Sequence, residues 1–278
     1  MTEPMIIRAR VQAPLKEVRH ALTDPAAMRI WLAEQAEVEL PDRYAFWGRS
    51  TPEGDAPHQR LLHADDRTVR FAWTLGGVEA TTEFAVEEDG PAATILTLSQ
   101  SHYDHQEALE GTSIRGVLQT FWYLTLANLA EHFEGRELTP KVDFTGRSAL
   151  RAEVLIDATP GKVFDSLIDS ESVTRWFGFP IAIEPQVGGR YAMGGFDNPH
   201  PAKILELEPD RKLSVDWGGT GVGTWELEGS GGKTKLTLTQ SGFDGTQPPF
   251  AGWAGILSGL AELRRFHEVP DWKPIWVD

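Results

Sequence analysis

The sequence predicts an α+β fold built twice in tandem, with an antiparallel sheet and one long helix packed across it in each copy. Three observations predict it. The chain repeats its own phrases in the same order. Each copy reads as a strand, two short helices, a run of strands and a long helix. The length of 278 residues suits two domains of ordinary size, each with its own core.

The repeat covers most of the chain, as expected of two copies of one unit. Four pairs of segments correspond: 18–32 with 163–177, 64–73 with 208–217, 97–101 with 237–241, and 122–133 with 253–264. The spacing between matching segments shrinks along the chain, so the second copy has lost residues before its last helix.

Each copy begins with a short strand, predicted over about 5–12 and 149–157, and continues with a helix. Pro14 and Pro160 fit the first position of that helix, where proline lacks only an N–H that would be unpaired anyway.

A second short helix follows in each copy. It opens at Asp24-Pro25 in the first copy and at Asp169-Ser170 in the second, and it ends around Trp31 and Trp176.

The strands that follow alternate apolar and polar residues over 69–73 and 213–217, so each has one inward apolar face. Apolar residues at three- and four-residue spacing over 117–133 then predict a long amphipathic helix, with 250–267 as its counterpart.

The polar stretch 134–147 lacks periodicity and is the predicted linker. We therefore expect a first domain over 1–138 and a second over 148–278.

The bulk composition excludes several classes of function. The chain has 26 Lys and Arg against 41 Asp and Glu, a net charge of −15 that repels phosphate backbones and anionic membranes. We expect neither a nucleic-acid nor a membrane partner. The absence of cysteine excludes disulfides, thiolate nucleophiles and Cys-based zinc sites. No segment approaches the ~20 apolar residues of a spanning helix, so a cytoplasmic protein is expected.

The second copy carries a set of recognisable motifs: VTRWFG at 173–178, EPQVGGR at 184–190, ELEPDRKLSVDW at 206–217 and TLTQSGF at 237–243. Residues 150–267 resemble the SRPBCC or START-like superfamily, specifically the family homologous to the activator of heat-shock-protein-90 ATPase. The resemblance implies a helix-grip fold, a curved antiparallel sheet wrapped around the long C-terminal helix with a hydrophobic cavity between them. The first copy departs from the pattern, since it has Trp47 where the second has Gly194.

Large rings recur at matched positions of the two copies, and Phe46, Phe84 and Trp225 lie on inward strand faces by alternation. Together they form the predicted ligand-binding set. Core packing is the more frequent role of such rings. As a set in a helix-grip fold, however, they would line the cavity, and apolar walls with few polar groups suit small hydrophobic ligands. The predicted ligand-binding residues are Trp31, Phe46, Trp73, Phe84, Tyr103, Trp122, Trp176, Tyr191, Trp217, Trp225, Phe243, Trp253 and Leu257.

Gln100 and Gln240 continue the inward parity of the last strand in each copy. A buried amide must be hydrogen-bonded, and a bond to a neighbouring loop backbone is favoured over contact with a ligand. Arg43 and Arg190 are expected to be surface or strand-end charges.

His102, Asp104 and His105 form the one compact group of acid–base or metal-binding residues in the first copy. Two histidines three apart in a turn are a weak metal signal without a third ligand, and a solvated loop is the favoured interpretation. The segment 229–234 lacks the glycine spacing of a phosphate-binding loop, and 218–223 is interpreted as a hairpin turn. We expect no catalytic residue, no metal and no cofactor.

Small residues recur in the last helix at Ala251, Gly255 and Gly259, which indicates close packing or an open cavity. The tail carries Trp272 and Trp276 and is too apolar to stay in solvent, so we expect it to dock on the other domain or on a second chain.

Three functions follow as hypotheses. The first is non-catalytic binding of a small hydrophobic or amphipathic molecule in at least one helix–sheet cavity. The second, implied by the resemblance, is a co-chaperone-like module with a protein partner, acting on a heat-shock ATPase. The third is a cyclase- or aromatase-like enzyme, which requires polar groups such as His102 or Arg43 to point into the first cavity.

Overall fold

A computed structural model describes residues 4–101, 114–147 and 149–277. Its contacts divide the chain into two compact units. The first consists of Met1–Gly146, Phe250–Ser258 and Ile275–Asp278. The second consists of Arg147–Pro249 and Gly259–Pro274. The predicted α+β class with large antiparallel sheets is confirmed, while the boundaries 1–138 and 148–278 stay a prediction.

The first unit contains seven described strands in two antiparallel sheets. The strands are β1 (Met5–Val11), β2 (Gln35–Glu39), β3 (Arg43–Trp47), β4 (Gln59–Ala64), β5 (Thr68–Leu75), β6 (Val78–Glu88) and β7 (Thr94–Gln100). The larger sheet has the order β1-β7-β6-β5-β4, and β2 pairs with β3 as a separate hairpin.

Three helices of the first unit are described: α1 (Leu15–Thr23), α2 (Pro25–Trp31) and α3 (Leu118–Phe133). The helix α2 opens directly after Asp24, as predicted, and the Asp24 carboxylate caps it by accepting a hydrogen bond from the backbone N–H of Ala27 at 2.8 Å. Pro14 precedes α1 and does not open it, because its ψ of 146° is extended. The predicted position of this proline is therefore wrong by one residue.

The second unit has one seven-stranded antiparallel sheet of order β8-β14-β13-β12-β11-β10-β9. Its strands are β8 (Leu150–Ile156), β9 (Ile181–Ile183), β10 (Arg190–Met193), β11 (Ala202–Glu208), β12 (Lys212–Asp216), β13 (Val222–Ser230) and β14 (Lys233–Ser241). Its helices are α4 (Pro160–Ile168) and α5 (Ser170–Phe177), followed by the part of α6 (Phe250–Glu268) that begins at Gly259. Pro160 is the first residue of α4, as predicted.

The two units repeat the same hydrogen bond at the end of the second short helix. The Trp31 indole N–H donates to the carbonyl of Ala21 at 3.0 Å, and that of Trp176 donates to Ser166 at 2.8 Å. Each bond fastens α2 or α5 to the helix before it, so these two tryptophans have a shared structural role.

A second repeated bond fastens the hairpin strand to the same helix. The Tyr44 hydroxyl donates to the carbonyl of Leu22 at 3.0 Å, and the Tyr191 hydroxyl donates to Leu167 at 3.5 Å. A β-bulge also falls in β4 and in the corresponding strand β11. The tandem repeat predicted from the sequence is thus visible in the side-chain bonds of the fold.

The small residues of α6 are explained by close packing in each unit. A Cβ on Gly255 would meet the Thr120 methyl at 3.4 Å, and one on Gly259 would meet the Phe177 ring at 2.8 Å. A side chain at Gly259 is therefore excluded unless that ring moves.

The chain's last residues belong to the first unit and pair with its edge strand β1. The backbone N–H of Arg10 donates to the carbonyl of Ile275 at 2.7 Å, and the Trp276 ring meets Tyr123 with centroids 4.7 Å apart. The pairing covers an edge that would otherwise be open to other chains. Within the described residues, no helix is long and apolar enough to cross a membrane.

Candidate functional site

One row of inward side chains crosses the sheet of the first unit at the level of Gln100. Strand register places Phe71 opposite Thr82, Thr82 opposite Gln100, and Gln100 opposite Met5. Phe71 and Thr82 are fully buried. The Phe71 ring and the branched Thr82 side chain therefore fill the inner face of the sheet at this level.

The matching row of the second unit is built from smaller residues. Register places Val215 opposite Gly223, Gly223 opposite Gln240, and Gln240 opposite Leu150. Val215 thus takes the place of Phe71, and Gly223 takes the place of Thr82. The second row lacks a benzyl ring and a hydroxyl-bearing side chain that the first row has.

Aromatic rings fill the interior of the first unit around this row. Trp73 lies 5.2 Å from Phe46, 5.8 Å from Phe121 and 5.7 Å from Trp122, measured between ring centroids. Phe84 lies 5.4 Å from Trp122. Phe46, Trp73, Phe84 and Trp122 are all 0% exposed, so these predicted ligand residues pack against one another.

A small cleft lies elsewhere in the first unit, beside the segment that follows α3. Its volume of about 10 Å³ is room for roughly one water molecule. Its wall includes Leu32, Ser50, Leu124, Lys141 and Phe144. Burial lowers the pKa of Lys141, whose ammonium donates to the carbonyl of Ile30 at 3.0 Å.

The corresponding rings of the second unit are fewer and more open. Trp217, which matches Trp73, is partly exposed and lies 5.5 Å from Tyr191 between ring centroids. A Cβ on Gly223 would lie 2.9 Å from the Trp217 indole nitrogen and 3.3 Å from the Trp225 ring. Gly223 therefore lets both indoles close over the strand, and Trp217 is partly exposed to solvent.

Two polar atoms of this region are buried with no hydrogen-bond partner in the described part of the chain. The Gln240 side-chain N–H donates to the carbonyl of Thr220 at 2.9 Å, as expected for a glutamine that fastens a loop. Its amide oxygen has no partner, and neither does the indole N–H of Trp217. Such groups normally have partners, because an unpaired buried donor or acceptor costs about 1–3 kcal/mol.

The first unit uses its matching glutamine differently. The Gln100 amide oxygen accepts a hydrogen bond from the Trp122 indole at 2.7 Å, a side-chain partner and not the loop backbone expected from the sequence. The acceptor that stays open in the second unit is therefore occupied in the first.

Tyr191 forms an uncharged side of the site. Burial raises the pKa of its hydroxyl, and that hydroxyl already donates to the backbone of Leu167. The ring therefore offers an apolar face beside Trp217 and stays neutral across the physiological range.

The other predicted site residues have separate locations. Trp176 is buried and fastened to Ser166. Phe243 is partly exposed beyond β14. Trp253 and Leu257 are buried in α6, in the part that belongs to the first unit. Tyr103 lies outside the described residues.

The polar candidates do not assemble into a reactive centre in the described chain. His102, Asp104 and His105 lie outside the described residues. Across 4–101, 114–147 and 149–277, no group of three or more His, Asp or Glu side chains is placed to hold a metal ion. Arg43 and Arg190 are exposed and paired with Glu37 and Glu184, as expected of surface charges. The enzyme hypothesis gains no support from Arg43.

An apolar patch lies on the surface of the second unit. Phe179, Met193 and Phe196 are 48%, 36% and 43% exposed. The Arg190 guanidinium stacks over the Phe196 ring at 4.2 Å from its centroid. Exposed apolar residues grouped in this way are typical of interaction surfaces.

The sequence missed Val215 and Gly223 as site residues. Gly223 reads as part of a hairpin turn over 218–223, whereas the turn ends at Gly221 and β13 begins at Val222. The repeat carried the signal that could have identified them. Aligning the two copies places the small residues Val215 and Gly223 opposite the larger Phe71 and Thr82.

The second half of the chain matches a known family by sequence. Residues 157–264 match the model of the family described as Activator of Hsp90 ATPase homolog 1-like protein. The resemblance expected for 150–267 is confirmed by this match. None of the curated proteins matches the chain.

Several solved structures are similar to this chain. DynU16, a protein in the dynemicin biosynthetic locus, is 18% identical with a TM-score of 0.40, over 96% of this chain and 100% of that one. CalU16 from Micromonospora echinospora is 24% identical with a TM-score of 0.39, over 51% and 79%. The Aha1 dimer from Colwellia psychrerythraea is 18% identical with a TM-score of 0.39, over 44% and 97%.

Proposed function

We propose that the second unit, whose residues 157–264 match the model of the family described as Activator of Hsp90 ATPase homolog 1-like protein, binds a small hydrophobic or amphipathic molecule on the inner face of its sheet, without catalysis. The site consists of Tyr191, Val215, Trp217, Gly223, Trp225 and Gln240. A cytoplasmic location stays part of this proposal.

The observation that carries the proposal is the difference between the two matched rows. Val215 and Gly223 replace Phe71 and Thr82, while the neighbouring Trp217 is partly exposed and Trp73 is not. Mostly apolar walls with a few convergent polar groups are the usual composition of a small-molecule site. The first unit has the same frame with its interior filled by rings, and we assign it a structural role.

Binding is tested by isothermal titration calorimetry and native mass spectrometry with a fatty acid, a flavonoid and 2-naphthol. We expect one molecule of at least one compound per chain. The blocking variant is Val215→Phe, which restores the ring of the first row and should reduce affinity by at least tenfold. Thr82→Val, a change in the matching row of the first unit, is the control and should leave affinity unchanged.

The proposal fails if no compound binds, or if Val215→Phe binds as well as the native chain. A thermal melt of each variant separates a blocked site from an unfolded domain. Overpacking costs about 1–3 kcal/mol, so Val215→Phe should remain folded.

A co-chaperone-like protein interaction is the second candidate function. It is supported by the family match and by the exposed patch of Phe179, Met193 and Phe196. The test is the ATPase rate of a purified heat-shock-protein-90 with and without the chain. An increase that is lost in Phe179→Ser and Phe196→Ser would support it, and an unchanged rate would remove it.

A further inference from the structure

Of the two polar side-chain atoms of Gln240, the nitrogen makes a hydrogen bond and the oxygen makes none with the described residues. The residue is 3% exposed, and its N–H group is bonded to the Thr220 carbonyl. That bond fixes the orientation of the amide, because only the nitrogen can donate to a carbonyl. The amide oxygen is consequently a buried acceptor without a donor.

Trp217 supplies a donor in the same place. An indole nitrogen can only donate, and this one is buried without an acceptor. It lies beside Gly223, 2.9 Å from where a Cβ of that residue would be, and Gly223 is the direct cross-strand partner of Gln240. An open donor and an open acceptor are thus neighbours on the inner face of one sheet.

A hydroxyl group complements this pair. It can accept from the indole and donate to the amide oxygen, both with one atom. A carboxylate could accept but not donate, and an ammonium could donate but not accept. Either charge would also be desolvated without an opposite charge among the residues that form the site, which is costly.

The first unit has a hydroxyl of its own at this level. Thr82 stands where the second unit has Gly223, opposite Gln100 in the same register. This hydroxyl is fully buried and has no hydrogen-bond partner among the described residues, so it does not pair with the Gln100 amide or the Trp73 indole. The second unit has glycine at this position and no hydroxyl of its own.

We infer that the ligand of the second unit carries an uncharged hydroxyl group on an aromatic or apolar body, held between the Trp217 indole N–H and the Gln240 amide oxygen. The rings of Tyr191 and Trp225 contact its apolar body. The inference rests on the proposed function and names the chemical class of its ligand.

The test compares three probes of one shape by isothermal titration calorimetry: 2-naphthol, 2-methoxynaphthalene and naphthalene. The first can donate and accept, the second can only accept, and the third can do neither. We expect 2-naphthol to bind at least tenfold more tightly than naphthalene, since naphthalene leaves both protein groups unpaired. The methoxy compound should fall between them.

Two variants remove the polar atoms and keep the apolar volume. Trp217→Phe removes the indole N–H, and Gln240→Leu removes the amide oxygen. Each should lower the affinity for 2-naphthol by about tenfold and leave the affinity for naphthalene nearly unchanged. The preference for the hydroxyl compound should therefore shrink. Trp73→Phe, the same change in the first unit, is the matched control and should keep the full preference.

Nuclear magnetic resonance of the indole N–H groups gives a second reading that does not depend on affinity. The Trp217 signal, assigned by its loss in Trp217→Phe, should shift on saturation with 2-naphthol more than on saturation with naphthalene. A merely structural Trp217 would respond equally to both probes.

The outcomes separate the inference from the function on which it rests. Equal affinities for 2-naphthol and naphthalene, both reduced by Val215→Phe, would overturn the hydroxyl inference and keep the apolar site. Failure of all three probes to bind would overturn both. A hydroxyl preference that persists in Trp217→Phe and Gln240→Leu would also overturn the inference.

Discussion

The two units share a frame and differ in what fills it. Trp31 and Trp176 make the same bond to the preceding helix, and so do Tyr44 and Tyr191. The interiors diverge one layer further in, where Trp73 is fully buried among rings and Trp217 is partly exposed. The two units thus share the bonds that fasten the short helices to each other and to a neighbouring strand, and they differ at particular inner-face positions such as Phe71 against Val215 and Thr82 against Gly223.

On the proposed function, one fold provides a scaffold and a site in the same chain. A filled interior contributes apolar burial and ring contacts to stability. A row with glycine and valine gives up part of that contribution. Buried polar atoms without a partner among the described residues occur in both units, at Trp73 Nε1, Thr82 Oγ1 and Gln100 Nε2 in the first and at Trp217 Nε1 and Gln240 Oε1 in the second. The difference between the units therefore lies in the size of the row's side chains and in the exposure of Trp217.

The largest expected effect comes from truncating the matched tryptophans. Trp73→Ala should lower the free energy of unfolding of the first unit by about 3–5 kcal/mol, because it leaves a cavity among packed rings. Trp217→Ala should cost less than half as much, because part of that ring is already in water. Chemical denaturation followed by circular dichroism measures both losses. Equal losses of unfolding free energy would contradict the view that Trp73 is packed more tightly than Trp217.

The matched glutamines should show a smaller difference. Gln100→Leu leaves the buried Trp122 indole without its acceptor and should cost about 1–3 kcal/mol. Gln240→Leu releases only the Thr220 carbonyl, which lies at an exposed turn, and should cost about 1 kcal/mol or less. A larger cost for Gln240→Leu would mean that its amide oxygen has a structural partner.

The caps of the second short helices should respond alike, because they belong to the shared frame. Asp24→Ala and Asp169→Ala each remove a side-chain acceptor 2.8 Å from a backbone N–H in the first turn. Each should cost about 1 kcal/mol in its own unit. Clearly unequal losses, measured by denaturation of the two variants, would argue against an equivalent frame.

The smallest effect is electrostatic and depends on pH. Hydrogen bonds from Arg190 lower the pKa of Glu184 to about 2, below the roughly 4.3 of an unfolded chain. A lowered folded-state pKa stabilises the fold above the unfolded value, and that stabilisation is lost as the pH falls toward the folded value. Glu184→Gln should therefore lower Tm slightly at pH 7, and its gap to the native chain should close progressively between about pH 5 and about pH 2. A gap that is constant with pH would contradict this assignment.

Much of the fold could be predicted from the sequence, because its signals are local. The alternation over 69–73 and 213–217 and the helix starts at Asp24 and Asp169 each depend on near neighbours in the chain. The repeat of whole phrases then gives each element a second copy to compare with. The inward direction of Gln240 followed from the same parity.

The candidate site could be predicted only in part, because it depends on register between strands. Trp217 was found as a large ring at a repeated position, Trp225 was found by the alternation of its strand, and Tyr191 belonged to the predicted ligand-binding set. Val215 and Gly223 were not, since their meaning comes from lying opposite each other and opposite Gln240. A glycine within GGTGVG also reads as a turn residue until pairing shows where β13 begins.

We propose that the second unit binds a ligand at the place where aromatic rings fill the interior of the first unit. Titration of 2-naphthol into the native chain, into Val215→Phe and into Thr82→Val tests it most directly. We expect one site per chain, a loss of affinity of at least tenfold in Val215→Phe, and no change of affinity in Thr82→Val. Equal binding to all three proteins, or loss of binding in Thr82→Val alone, would contradict it.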